Sequence, residues 1–358
     1  MSVYRDLNNR FFKKLGFELT LEGVKFLEEP REVQRKLARI VNPKPDWLIH
    51  SRYFAFSLEE IDPEKISPTL KVVETKEDVR IFRHAMSFWS VPVSAGYGRR
   101  VRFIVWDICH GKVIGIFGLC DPIIGLEVRD RFIGWDVKIK NKKLYNLMTA
   151  YVLGAVYPYN LLLGGKLIAL ICTSSEVRKV VENRYGTLLS AIDTMGAFGK
   201  SAIYTRLRGW KFVGYTKGYT HYHLSCNGFF EFCKDLLRKT GHEDILQSYR
   251  FGEGPNWKFR VLKEALKILG LDPRKTLNLG IKRGYYFCPL AENWKDFLCG
   301  ETDMLMLNVI EYPMEEQIRY WKKRWLVKRL SKLEELLLLE KENRMSYPRQ
   351  LARQLAIF

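Results

Sequence analysis

Apolar residues change their spacing several times along the chain. In residues 1–45, Leu19, Leu21, Val24, Phe26 and Leu27 recur at helical intervals, Pro30 interrupts, and Val33, Leu37, Ile40 and Val41 resume. This spacing predicts two or three short helices. The polar stretch from Trp47 to Arg80, broken by Pro63 and Pro68, predicts a loose connection ending in a helix over Lys76–Arg83. From Arg100 the pattern becomes that of strands: an apolar run through Ile108, a turn at His110-Gly111, and a second run from Lys112 to Asp121 predict an antiparallel hairpin. Tyr151–Val156 is short enough for a buried strand that Pro158 ends, and Asn160 is placed to cap a helix whose first turns hold Gly164 and Gly165.

A second strand is expected over Leu188–Asp193. Ile203 and Leu207, four apart, then predict a helix over Ser201–Arg208 that Gly209 ends, with Ser201, Tyr204 and Arg208 on a neighbouring face. Further on come a basic helix, Trp257–Leu269, an aromatic strand, Gly284–Pro289, and a long helical pattern from Tyr312 to Arg344. The expected architecture is α+β: a mixed, mainly antiparallel sheet flanked by helices. The expected segments are a helical N-terminal region and connection (1–99), a core (100–224), a mixed α/β extension (225–311) and a basic helical tail (312–358).

Charge narrows the choice of partner. Fifty-nine Lys and Arg against 40 Asp and Glu give a net charge of +19, which with 13% aromatic residues favours nucleic acid; a merely solvated basic surface is the plainer alternative. Seven cations and no acid lie in Arg319–Lys332, with Trp321, Trp325, Leu326 and Leu330 interleaved. Arg319, Lys322, Lys323, Arg324, Lys328 and Arg329 are therefore candidate phosphate contacts, equally well read as cations snorkelling around a docked helix. Lys138, Lys140, Lys142 and Lys143, in an expected loop, and Arg206 and Arg208 join the candidate set. The seven cysteines contain no C-x-x-C pair, so neither a zinc ribbon nor a disulfide framework is expected. No run reaches the length of a membrane span and the N-terminus lacks the apolar core of a signal peptide, so a cytoplasmic, non-membrane protein is expected.

The order strand, glycine turn, helix, strand, helix from Tyr151 to Gly218 resembles the back half of GNAT-type N-acyltransferases, where a splayed strand and a glycine-rich helix start bind coenzyme A. The resemblance implies that Ala155 and Val156 face the pantetheine and that Asn160, Gly164, Gly165 and Lys166 face the pyrophosphate. Ser201 joins this cofactor set, and Tyr204 would protonate the leaving thiolate. A longer likeness, over about residues 100–300, is to the DruA family of anti-phage defence and mobile-element proteins. It rests on Arg129-Asp130 with Ile133-Gly134-Trp135, Asn160, Asp193-Thr194, Gly199 with Ser201 and Tyr204, and Val213-Gly214 before Thr216 and Gly218. This likeness implies DNA as the favoured target and a helicase or other defence-system proteins as partners.

Three side chains are candidates for chemistry. Tyr204 is an acid for a thiolate or a nucleophile for a phosphodiester, against the plain reading of a packed ring. Asp193 and Asp130, at a strand end and a turn, suit acid–base work, against an Asx turn and a surface ion pair respectively. Asp107 and Asp121 lie near strand ends as well, and spacing does not choose among them. His221 and His223 would share one face of a strand but lack a third ligand, so no metal site is assigned. Acyl-CoA is the cofactor the first likeness offers; an acyltransferase that modifies DNA bases and a purely architectural partner remain the alternatives to a nucleic-acid-directed protein.

Overall fold

The computed structural model describes residues 2–251, 257–307, 312–332, 334, 335, 337 and 338. The part of the expected tail from 339 onward lies outside them. The chain divides into two units, one of residues 1–42, 89–93 and 217–283, the other of 43–88, 94–216 and 284–358, so neither follows the four consecutive segments expected from the sequence.

In the first unit, strands β1 (Phe17–Thr20) and β2 (Gly23–Phe26) form an antiparallel hairpin where helices were expected. The spacing of Leu19 and Val24 fits a strand pair as well as a helix, because the two are cross-strand partners around the Leu21-Glu22 turn. Gly23, at φ 129°, takes the backbone that such a turn demands. Asn8 reinforces β1 by accepting from the N–H of Leu19 (2.7 Å) and donating to its carbonyl (2.8 Å). The helix expected after Pro30 forms over Pro30–Val41 and buries Val33 and Leu37. Phe12, Phe17, Phe229, Leu262 and Ala265 complete this core, with the last three supplied by helices Phe229–Lys239 and Trp257–Ile268. The residues around His221 and His223 form turns, not the strand expected there.

The second unit is built on a seven-stranded sheet in the order β3-β4-β5-β6-β7-β9-β8. Its strands are β3 (Pro68–Val72), β4 (Arg100–Asp107), β5 (Lys112–Cys120), β6 (Leu147–Ala155), β7 (Ala191–Gly196), β8 (Lys211–Tyr215) and β9 (Gly284–Pro289). The expected hairpin is β4–β5. Strand β3 occupies what looked like a loose connection, and β9 lies inside the sheet between β7 and β8. All pairs are antiparallel except β6 and β7, which run parallel. Their ladder ends at Ala150–Thr194, although β6 continues to Ala155 and β7 to Gly196; the two strands part there.

Side chains alternate across the sheet. Ile192, Tyr286 and Cys288 join one core with Leu167 to Ile171 of helix Gly164–Ile171 and Val177 and Val181 of helix Ser175–Tyr185. Ala191, Tyr285 and Phe287 point the other way, toward Ile133, Phe297 and Leu298. At Gly115 a Cβ would come within 2.4 Å of the Gly154 carbonyl, so the close approach of β5 to β6 tolerates only glycine. Among the described residues no helix is long and apolar enough to cross a membrane.

Candidate active site

A polar network interrupts the second of these cores. Asp193 on β7 is buried and faces its parallel partner Thr149 on β6, whose hydroxyl donates to Oδ1. Tyr285 on β9 lies diagonally across the ladder and donates its hydroxyl to Oδ2 at 2.7 Å. Burial raises the Asp193 pKa above its ordinary value, opposed by the charge of Arg129 and by the two hydroxyls. Such a carboxyl keeps its proton to higher pH than a surface aspartate and can serve as an acid or a base.

Arg129, on helix Glu127–Ile133, is itself fully buried. Its guanidinium donates to Asp130 Oδ1 through Nε (2.9 Å) and one terminal nitrogen (2.7 Å), and to the carbonyls of Ile123 (2.6 Å) and Ile124 (3.1 Å). The other oxygen of Asp130 accepts from Lys140 at 2.9 Å. Asp130 thus anchors the cation that acts on Asp193, and the ion pair expected of it with Arg129 is internal. Above the network, burial raises the phenol of Tyr97 and pushes the thiol of Cys120 up to about 12. Asp121 fixes this segment by accepting from Arg99, at 2.7 Å from the side chain and 3.0 Å from the backbone N–H. Thr149, Tyr285 and Tyr97 went unnoticed in the sequence; the trace of the first is a hydroxyl set within an apolar strand.

Tyr204 lies on the opposite face of the sheet from Asp193. It is buried against Tyr286 and Trp210, with ring centroids 4.5 and 4.9 Å away, and shares a hydrogen bond with Thr194, the residue after Asp193 on β7. Neighbours along a strand face opposite sides, so the two candidates are not brought together. Burial raises the phenol of Tyr204. The helix expected over Ser201–Arg208 does not form: Arg206 sits at φ 60°, and the segment is a series of turns. The ammonium of Lys166 explains the path, since it takes the carbonyls of Ala202 (2.6 Å), Ile203 (3.1 Å) and Thr205 (2.8 Å) that a helix would use internally.

The rest of the expected cofactor set is dispersed around this plug. Asn160 caps nothing, lying in the 3-10 turn Tyr159–Leu162, and the helix starts at Gly164 after Leu163. A Cβ on Gly164 would lie 2.7 Å from the Tyr159 carbonyl and 2.9 Å from Ala155, and Gly165 faces Ile203. The backbone of Val156 donates to Ile114 (2.9 Å), and that of Ser201 donates to the Tyr286 hydroxyl (2.6 Å).

Several expected phosphate ligands are occupied by partners within the chain. Lys140 is bound to Asp130, Lys143 to Asp303 (2.9 Å), and Arg329 donates to the Leu161 carbonyl (2.8 Å). Arg208 bonds Glu316 and Gln317 (2.8 and 3.0 Å) and lies over the rings of Tyr312 and Tyr320. Lys138 and Lys142 are exposed, on a helix, Val137–Lys143, where a loop was expected. Helix Met314–Trp321 and its continuation through Leu330 bury Trp321, which donates to the Leu163 carbonyl (3.2 Å), and Leu326. Arg319, Lys323, Arg324 and Lys328 remain on the exposed side, and Lys322 is half-buried. His223 donates from Nε2 to the Thr276 carbonyl (3.0 Å), and burial holds both it and His221 down to about 4. Among the described residues no group of three or more His, Cys, Asp or Glu could hold a metal ion.

No solved structure matches the chain. A relative described as Druantia protein DruA, from Escherichia coli strain UMEA 4076-1, is 41% identical over 277 residues, covering 72% of this chain and 68% of that protein. The family model described as Druantia protein DruA matches residues 18–300, a span that takes in all but the first residue of the hairpin β1–β2, the whole seven-stranded sheet and the Asp193 network. The chain belongs to the DruA family.

Proposed function

We propose that this chain is a nucleic-acid-directed component of Druantia-type anti-phage defence or of mobile-DNA processing, working with a helicase or other defence-system proteins, and that its sheet is a GNAT-type core. The observation that carries the reading is the gathering of cations from separate segments at one place. Arg206 on its turn and Arg324 on the C-terminal helix lie close enough to Lys166 to add to the effect of burial and hold its pKa down to about 8. Like charges assembled on a docked, pre-formed surface raise the local potential and favour a polyanion. Arg319, Lys323 and Lys328 extend the same helix, and Trp321 and Leu326 fix its orientation before any ligand arrives.

The parting of β6 from β7 beyond Ala150–Thr194, with a glycine-led helix following β6 after the 3-10 turn, supports the GNAT-type core. It also supports a second reading, an acyl-CoA-dependent transferase with Tyr204 as acid. Coenzyme A would then have to displace Ile203 from Gly165 and the Lys166 ammonium from its carbonyls, so the nucleic-acid reading is preferred. Under the nucleic-acid reading catalysis is assigned to Asp193, with Asp130 acting through Arg129, whereas the transferase reading rests on Tyr204 across the sheet. The test is DNA binding by the full chain against salt. Reversing Arg319, Lys323, Arg324 and Lys328 to Glu should weaken binding to duplex DNA and flatten log K against log salt by about 3 to 4, at ~0.9 for each phosphate no longer neutralised. Unchanged affinity and slope would remove the reading, and coenzyme A binding abolished by Gly165→Asp would put the transferase in its place.

A further inference from the structure

The first unit carries a groove of about 400 Å³ between the β1–β2 turn and the segment after helix Pro273–Thr276. Its walls include Glu22 and Gly23 on one side, Arg274, Lys275 and Asn278 on the other, and Tyr219. We infer that this groove binds one nucleotide of a single-stranded DNA, with the base on Tyr219 and the phosphate on Arg274 and Lys275. The inference rests on the nucleic-acid reading above and deepens it.

Each wall presents a different part of that chemistry from a fixed backbone. Tyr219 forms an isolated antiparallel bridge with Asn278, yet its side chain is 47% exposed, an aromatic face held out from a pinned main chain. Stacking on such a ring accepts any base. Arg274 and Lys275 are exposed, and the turn that carries them is fixed by Asp272, which accepts from the Arg274 N–H at 2.9 Å. Lys275 Nζ donates to the Leu21 carbonyl (3.3 Å), which holds it across the groove toward the hairpin. The hairpin packs closely on that segment: Gly23 is buried, and a Cβ there would lie 3.3 Å from the Lys275 carbonyl.

The remaining polar groups suit a base edge. The Asn278 side-chain oxygen accepts from the Gly280 N–H at 2.9 Å, so its NH2 is the end left to donate. Glu22 would repel a phosphate but accepts from the exocyclic amine of cytosine or adenine, which thymine lacks. Two cations on one side and an acid on the other therefore orient the nucleotide rather than merely attract it.

The test uses the full chain with fluorescein-labelled dC10, competed by dCMP and by inorganic phosphate. Tyr219→Ala should weaken dC10 binding about tenfold, Tyr219→Phe should restore it, and Arg274→Ala with Lys275→Ala should reduce the salt slope by about 0.7, the value for the one single-strand phosphate the pair neutralises. Competition by dCMP would assign the groove to free nucleotides as well as strands; competition by the strand alone assigns it to strands. Absence of dC10 binding, or binding that none of these substitutions weakens, overturns the inference. Duplex binding that still depends on Arg319, Lys323, Arg324 and Lys328 would then leave the broader reading standing.

Discussion

Replacing Tyr285 by Phe isolates a single hydrogen bond to the buried Asp193 carboxyl. The ring keeps its place among Ile133, Phe297 and Leu298, and only the 2.7 Å bond to Oδ2 is removed. Asp193 has a folded pKa above its ordinary 3.8, so its contribution to stability is complete below that value and is lost as pH rises through the folded one. The Tyr285 hydroxyl opposes that rise, so removing it moves the folded pKa further up and deepens the loss at high pH. A hydrogen bond to a neutral acceptor contributes about 1 kcal/mol and one to a charged acceptor about 1.5–3 kcal/mol. Tyr285→Phe should accordingly cost about 1 kcal/mol near the acid end, growing toward ~3 kcal/mol once Asp193 ionises. Urea denaturation followed by circular dichroism, from mildly acidic to mildly alkaline buffer, measures both. The buried histidines titrate in wild type and variant alike and cancel in the difference. In the Asp193→Asn background the same substitution should cost ~1 kcal/mol at every pH. A cost that ignores pH, or is identical in both backgrounds, would refute the placement of a proton-holding carboxyl under Tyr285.

Two further outcomes concern the scaffold. Gly115→Ala should lower stability by more than ~3 kcal/mol, because the new Cβ meets the Gly154 carbonyl at 2.4 Å and the Ala155 Cα at 2.8 Å, neither of which is a flexible side chain; thermal unfolding checks it. Trp321→Ala removes a side chain 1% exposed and its bond to the Leu163 carbonyl, for about 3–5 kcal/mol of local stability, and hydrogen exchange should show helix Met314–Trp321 opening while the sheet stays protected.

What the sequence disclosed depended on how far apart the interacting residues lie. The β4–β5 hairpin was legible because both strands and the turn at Gly111, with φ 63°, are contiguous. β3 was hidden because it is a short edge strand opened by Pro68, a residue that an edge accepts and an interior ladder does not. The apolar spacing over 19–27 fits two periods, and only the partners of Leu19 decide between them. Ile203 and Leu207 are helically spaced, yet Lys166, more than thirty residues earlier, claims the carbonyls of Ala202, Ile203 and Thr205. The same distance rule applies to the site. An acid amid apolar residues marks Asp193, whereas Thr149 reaches it through a parallel crossover and Tyr285 only after the chain has left the sheet and come back.

That departure has a consequence for assembly. β8 ends at Tyr215, and β9, its one strand neighbour among the described residues, begins at Gly284, with which Tyr215 is in register. Emerging from the ribosome, β8 has nothing to zip onto until residues 217–283 have been made, and β7 waits equally long for its second flank. Closing a loop of that length adds an entropic cost to the pairing, one that grows slowly with the number of residues and that compaction of the detour lowers. The last of the described strands to be synthesised is the one inserted between β7 and the edge strand β8, and Asp193 acquires its Tyr285 donor only at that moment.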